Sequence, residues 1–113
     1  MKLNIYGKKD GQKVVIKTYE ADTYDLEFGP VEDVAQAVNL DALQTGSNAE
    51  IIKMVGDMVL KSMSTVRELM KDIFPGLTDE ELRHTTVKET AAVLVEVVKF
   101  TLAQLQLGAK GKN

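Results

Sequence analysis

The chain has no cysteine and only one histidine, and no apolar run in it approaches the length of a membrane span. Without cysteine there are no disulfides and no thiolate metal sites, and an intracellular protein is the easier expectation. A lone histidine leaves zinc without a ligand set. A membrane helix takes about 20 consecutive apolar residues, and Met1-Lys2-Leu3-Asn4 does not begin a signal peptide. Charge of one sign is also scarce, the net being −3. Residues 30–107 hold seven Lys and Arg against twelve Asp and Glu, a net of −5, with no basic stripe interleaved with aromatics. Nucleic-acid binding depends on neutralising phosphates with Lys and Arg, so that class is disfavoured.

What is present is ordinary globular material: 44% hydrophobic and 27% charged residues in 113. That is enough for one domain with a modest core. We expect an α+β chain, mainly α, with a single domain over residues 1–108 and a flexible polar tail at 109–113. Residues 1–29 form its β-hairpin region and 30–108 its helical region. Leu3 and Ile5 alternate with Asn4 and Tyr6, and Val14, Ile16 and Thr18 with Val15, Lys17 and Tyr19. Between them Gly7 to Gln12 is a turn built around Asp10-Gly11. Residues 23–28 read equally as a third strand or a single helical turn. Two strands alone are marginal in water, so the hairpin must pack on helices or on another chain.

A bundle of three to four helices follows. Gly29-Pro30 opens the first, with Val31, Val34, Ala35 and Val38 on one face and an end near Asn39. Asp41 to Gln44 forms a further turn, and Thr45 to Asn48 a loop. A long central helix starts at a Ser47 or Asn48 cap and runs to Ile73, about 40 Å. Ile52, Val55, Val59, Val66, Leu69 and Ile73 form its stripe, widened by Ile51, Met54, Met58, Met63 and Met70 beyond what one neighbouring helix covers. Phe74-Pro75-Gly76 stops this helix, and Thr78 with Glu81 fits a capping box that starts a short one. The last helix runs from Val87 to Gly108 and is apolar over most of its circumference, as a central or oligomer-buried helix would be.

His84, one turn from Glu80 and Glu81, could be an oriented base. The better reading is a histidine interacting with a helix C-terminus. Asp79, Glu80 and Glu81 lack the alternating ligands and glycine of a calcium loop and complement a helix dipole instead. Gly108 to Lys112 has the wrong glycine spacing for a phosphate loop and follows a helix rather than a strand. No Ser-His-Asp set or nucleophile elbow can be assembled, so no enzyme, cofactor, metal or small-molecule substrate is expected. The least bland feature is methionine. Met54, Met58, Met63 and Met70 are either adaptable partner surface or core filling. With Val93, Val97 and Phe100 of the last helix they make up the expected partner-binding set.

The stretch Ile73 to Phe100 resembles the tail assembly chaperones of long-tailed (siphovirus-type) bacteriophages, particularly those of Gram-positive hosts. The matching elements are Phe74-Pro75-Gly76, Leu77-Thr78-Asp79-Glu80-Glu81-Leu82 and Val98-Lys99-Phe100, together with the opening strand region and Phe28 to Asp33. The resemblance implies a small helical, non-enzymatic protein of phage or prophage origin that coats the tape measure protein and recruits tail tube subunits. It further implies the host cytoplasm as location and absence from the mature virion, and the apolar last helix leaves a homo-oligomer open as a partner state. Many relatives are made in two lengths by ribosomal frameshifting, and Gly111-Lys112-Asn113 can be encoded with a slippery run. A merely solvated end is the alternative there. The other reading of the whole is a structural tail-completion or head–tail joining protein. A small regulatory or DNA-binding helical protein is disfavoured by charge.

Overall fold

The computed structural model describes residues 1–23, 26–37 and 47–110. Strands β1 (Lys2–Lys9) and β2 (Gln12–Glu20) pair antiparallel, joined by the two-residue turn Asp10-Gly11. Both turn residues have positive φ, 53° and 78°, as the primed hairpin turns require. Ile5 faces Lys17 whereas Tyr6 faces Val15, so Ile16 is the extra residue of a β-bulge. The inner face of β1 buries Leu3 and Ile5 against the helices. Its outer edge is closed by other elements. The Asn4 N–H donates to Glu89 Oε1 at 3.3 Å and the Tyr6 N–H to the His84 carbonyl at 2.8 Å. At the open end, Met1 and Ala21 exchange bonds of 2.7 and 2.9 Å.

Among the described residues five helices follow: α1 (Phe28–Ala37), α2 (Asn48–Lys61), α3 (Met63–Ile73), α4 (Asp79–Leu82) and α5 (Val87–Lys110). The fold is therefore α+β and mainly α, as expected. In the 23–28 stretch, expected as a third strand or a helical turn, the Leu26 N–H bonds the Thr23 carbonyl at 3.2 Å and α1 begins at Phe28. Tyr24 and Asp25 lie outside the described residues, as do the expected helix end near Asn39, the turn at 41–44 and the start of the following loop. Pro30 sits in the first turn of α1, where its missing N–H costs nothing, and is buried with Val34. Ala35, expected on the same face, is exposed.

The single long helix is corrected to two. Ser62 (φ −135°, ψ 50°) ends α2 and begins α3: its N–H bonds Met58 O at 2.8 Å and its carbonyl accepts from Val66 N–H at 3.0 Å. The break redirects the chain, because α2 packs on α5 whereas α3 packs on α1. The apolar spacing carries on across Ser62, which is why the segment reads as one helix. The joint at 74–78 forms as its residues predict. Phe74 is buried, Gly76 turns the chain at φ +93°, and Thr78 with Glu81 completes the capping box. A second box, Ser47 with Glu50, starts α2.

α5 is the central helix and touches α1, α2 and β1. Val93, Leu94, Val97 and Val98 are its core residues, meeting Ile51, Val55 and Met58 of α2 and Val66, Leu69, Met70 and Ile73 of α3 in one cluster. Its buried hydroxyls are satisfied inside the helix: Thr90 Oγ1 donates to Thr86 O at 3.1 Å and Thr101 Oγ1 to Val97 O at 2.9 Å. α5 continues to Lys110, past the expected stop at Gly108.

A candidate protein-binding surface

The seven residues expected to meet a partner divide between the interior and the surface. Met58, Met70, Val93 and Val97 are in the core of the chain, not on a face open to another protein. Their positions explain it, since Met58 follows Ile51 and Val55 on the side of α2 that lies against α5, and the methionine side chain adapts to that gap. Met54 and Phe100 are half-buried. Met63 alone of the seven is well exposed, at 50%.

Excess apolar surface is nevertheless present, carried largely by other residues. Ile52 is 59% exposed, Leu60 81% and Val87 71%. At 3.6 residues per turn, Ile52, Gly56 and Leu60 share an arc of about 80° on the side of α2 turned away from its core face, with Val59 at its edge, half-buried against the core. Gly56 adds a flat place to that arc, because a Cβ there would meet nothing within 4 Å. A signal for this face exists in the sequence. Ile51-Ile52 and Val59-Leu60 are neighbours about 100° apart, so burying one member leaves the other outside.

The arc leads into a cleft between α2, α3, α4 and the start of α5. Val59, Met63, Val66, Leu82 and Val87 form its apolar lining, Thr86 and Thr90 complete the floor, and the cavity holds about 160 Å³. An apolar cavity of that size accepts a group about as large as one aromatic or branched aliphatic side chain. Arg67, Asp79 and Arg83 stand at its rim. Asp79 is already engaged: Lys71 Nζ lies 2.8 Å away and, by hydrogen bond and charge, holds its carboxyl below the usual range. The Lys71 ammonium is raised in turn. Arg67 and Arg83 have no carboxylate within ion-pair distance among the described residues. In the wall beside them the Thr85 hydroxyl is buried with no hydrogen-bond partner among the described residues.

The far wall of the cleft is held by two carboxylates. Glu81 caps α4 and also accepts from the Tyr19 hydroxyl at 2.6 Å and pairs with Lys17 at 3.2 Å. The Tyr19 bond, then the contacts from Lys17 and the Thr78 N–H, place its carboxyl below the usual range despite some burial. Glu89 closes the cap of α5, receiving the Thr86 hydroxyl at 2.8 Å while its own N–H donates to Thr86 Oγ1 at 3.1 Å. Burial pushes the Glu89 carboxyl up, but bonds from Tyr6, Thr86 and Asn4 together outweigh it, and the group lies below its ordinary value. The hairpin is thus clipped to both helix starts that flank the cleft.

The remaining polar groups form no comparable site. His84 Nε2 and Glu80 Oε1 are 3.1 Å apart, and both side chains are largely exposed. Among the described residues no group of three or more His, Asp or Glu could hold a metal ion. No described helix is long and apolar enough to cross a membrane. Comparison with protein-family models, curated proteins and solved structures found no match for this chain.

Proposed function

We propose that the chain is an assembly chaperone that captures a helical segment of another protein along α2 and in the cleft beside it. One observation carries this reading: Ile52, Leu60, Met63 and Val87 expose apolar surface around a cleft with an apolar lining. An amphipathic helix buries such a row by placing anchors at intervals of three, four and seven residues. Within α2, Ile52 to Leu60 spans about 12 Å, a little over two turns of a partner helix. The resemblance at Ile73 to Phe100 identifies the partner in this proposal as the phage tape measure protein. Tail tube subunits are then recruited around the coated chain, in the host cytoplasm, and the chaperone is absent from the finished virion.

Co-expression with tape measure and tail tube proteins, followed by pull-down, tests the reading. We expect tape measure protein to be retained by the native chain and lost with Leu60→Glu, which changes an exposed residue and leaves the core intact. Retention unchanged by Leu60→Glu and Met63→Glu together would remove the stripe from the account. Mass spectrometry of purified particles supplies the other arm. Stoichiometric presence of the chain there would make it a tail-completion or head–tail joining part instead.

A further inference from the structure

The charge around the cleft specifies what kind of helix it takes. We propose that the captured segment is acidic as well as apolar, with a carboxylate placed about one turn from the side chain that enters the cleft. The proposal rests on the reading of the α2 stripe as a partner surface and adds the chemistry of the partner.

The chain as a whole is acidic, with a net charge of −3. At the cleft the balance is reversed. Asp79 is paired with Lys71 and feels Arg67 only through space, which leaves Arg67 and Arg83 as cations at the lip with no ion-paired carboxylate among the described residues. The two arginines flank an apolar lining, so an aliphatic side chain seated there would bring its neighbours on the same helix face against guanidinium groups. Glutamate or aspartate one turn away satisfies them with charge-assisted, forked hydrogen bonds. Lysine or arginine in the same place would meet like charge while its surroundings lose water.

The test uses the full chain and two synthetic amphipathic helices with identical leucine faces, one flanked by glutamate and one by lysine, read by fluorescence anisotropy. General attraction to a protein of net charge −3 favours the lysine helix, so local recognition and overall charge predict opposite orders. We expect the glutamate helix to bind about tenfold tighter in low salt, a preference that shrinks as salt rises. Arg67→Glu with Arg83→Glu should invert the order. Should that pair disturb the fold, as judged by circular dichroism, Arg67→Gln with Arg83→Gln should abolish the preference. Equal binding of both helices, or preference for lysine, overturns the charge proposal; if Leu60→Glu then abolishes that binding, the partner-surface reading stands. Binding of neither helix overturns both. Self-association of the chain that Leu60→Glu removes, with no peptide bound, assigns the cleft to a second copy and likewise overturns the proposal.

Discussion

Glu81 and Glu89 each complete a helix cap while accepting bonds from the hairpin, through Tyr19 and Lys17 in one case and Asn4 and Tyr6 in the other. Each carboxyl therefore titrates lower in the folded chain than the ordinary 4.5 of the unfolded one. A depressed folded value means stability that is complete above the unfolded value and lost as the pH falls through the folded one. We expect the thermal midpoint to hold near neutral pH and to fall below about pH 4.5. Glu81→Gln with Glu89→Gln should lower the midpoint at neutral pH and flatten its acid dependence; a slope unchanged in that variant would detach it from these two groups. Thr85 presents the opposite case, a buried hydroxyl with no partner among the described residues. Thr85→Val keeps the shape and removes the polar atom, so chemical denaturation should find stability raised by up to about 1 kcal/mol.

At the scale of the element, α2 shows how far helical periodicity can be read. The hairpin turn, the capping boxes and the stop at Phe74-Pro75-Gly76 are local devices, set by residues within a few positions of one another, and they form where their chemistry indicates. Which of two apolar faces becomes core is not local. Ile51, Val55 and Met58 face α5, and Ile52 and Leu60 do not, because the path of α3 and α5 decides it. The break at Ser62 is hidden for the same reason: its neighbours keep their spacing while their packing partners change. Apolar excess on this segment was legible; its assignment to methionines was not, since methionine suits core and groove alike. Two truncations separate the faces. Met58→Ala should cost roughly 2 to 5 kcal/mol in denaturant unfolding, whereas Leu60→Ala should change stability by less than about 0.5 kcal/mol. Similar costs at the two positions would mean that Leu60 is covered within the free chain.

For the molecule as a whole, the question is whether hairpin and helices are one cooperative unit. A two-stranded hairpin is marginal alone in water, and this one exposes Val15 and Ile16 on β2 while only Leu3 and Ile5 of β1 enter the core. Its order comes from the helices, through those two side chains, the closed β1 edge and the Glu81 and Glu89 clips. The helices in turn gain from it, because β1 covers part of α5 and the clips fix the far wall of the cleft. The composition supplies two separate reporters. There is no tryptophan, and all three tyrosines, Tyr6, Tyr19 and Tyr24, lie in the first 24 residues, so tyrosine fluorescence follows the hairpin region and, through Tyr19 against Phe74, its docking on the helices. Far-UV circular dichroism follows the helices. At neutral pH the two signals should change at the same denaturant concentration. As the pH falls below about 4.5 and on through the lower folded values of the two carboxyls, the tyrosine transition should move to lower denaturant ahead of the helical one. Coincident midpoints at both pH values would show that apolar packing of Leu3 and Ile5 holds the hairpin without the carboxylates, and separate midpoints at neutral pH would show that it docks as an independent piece.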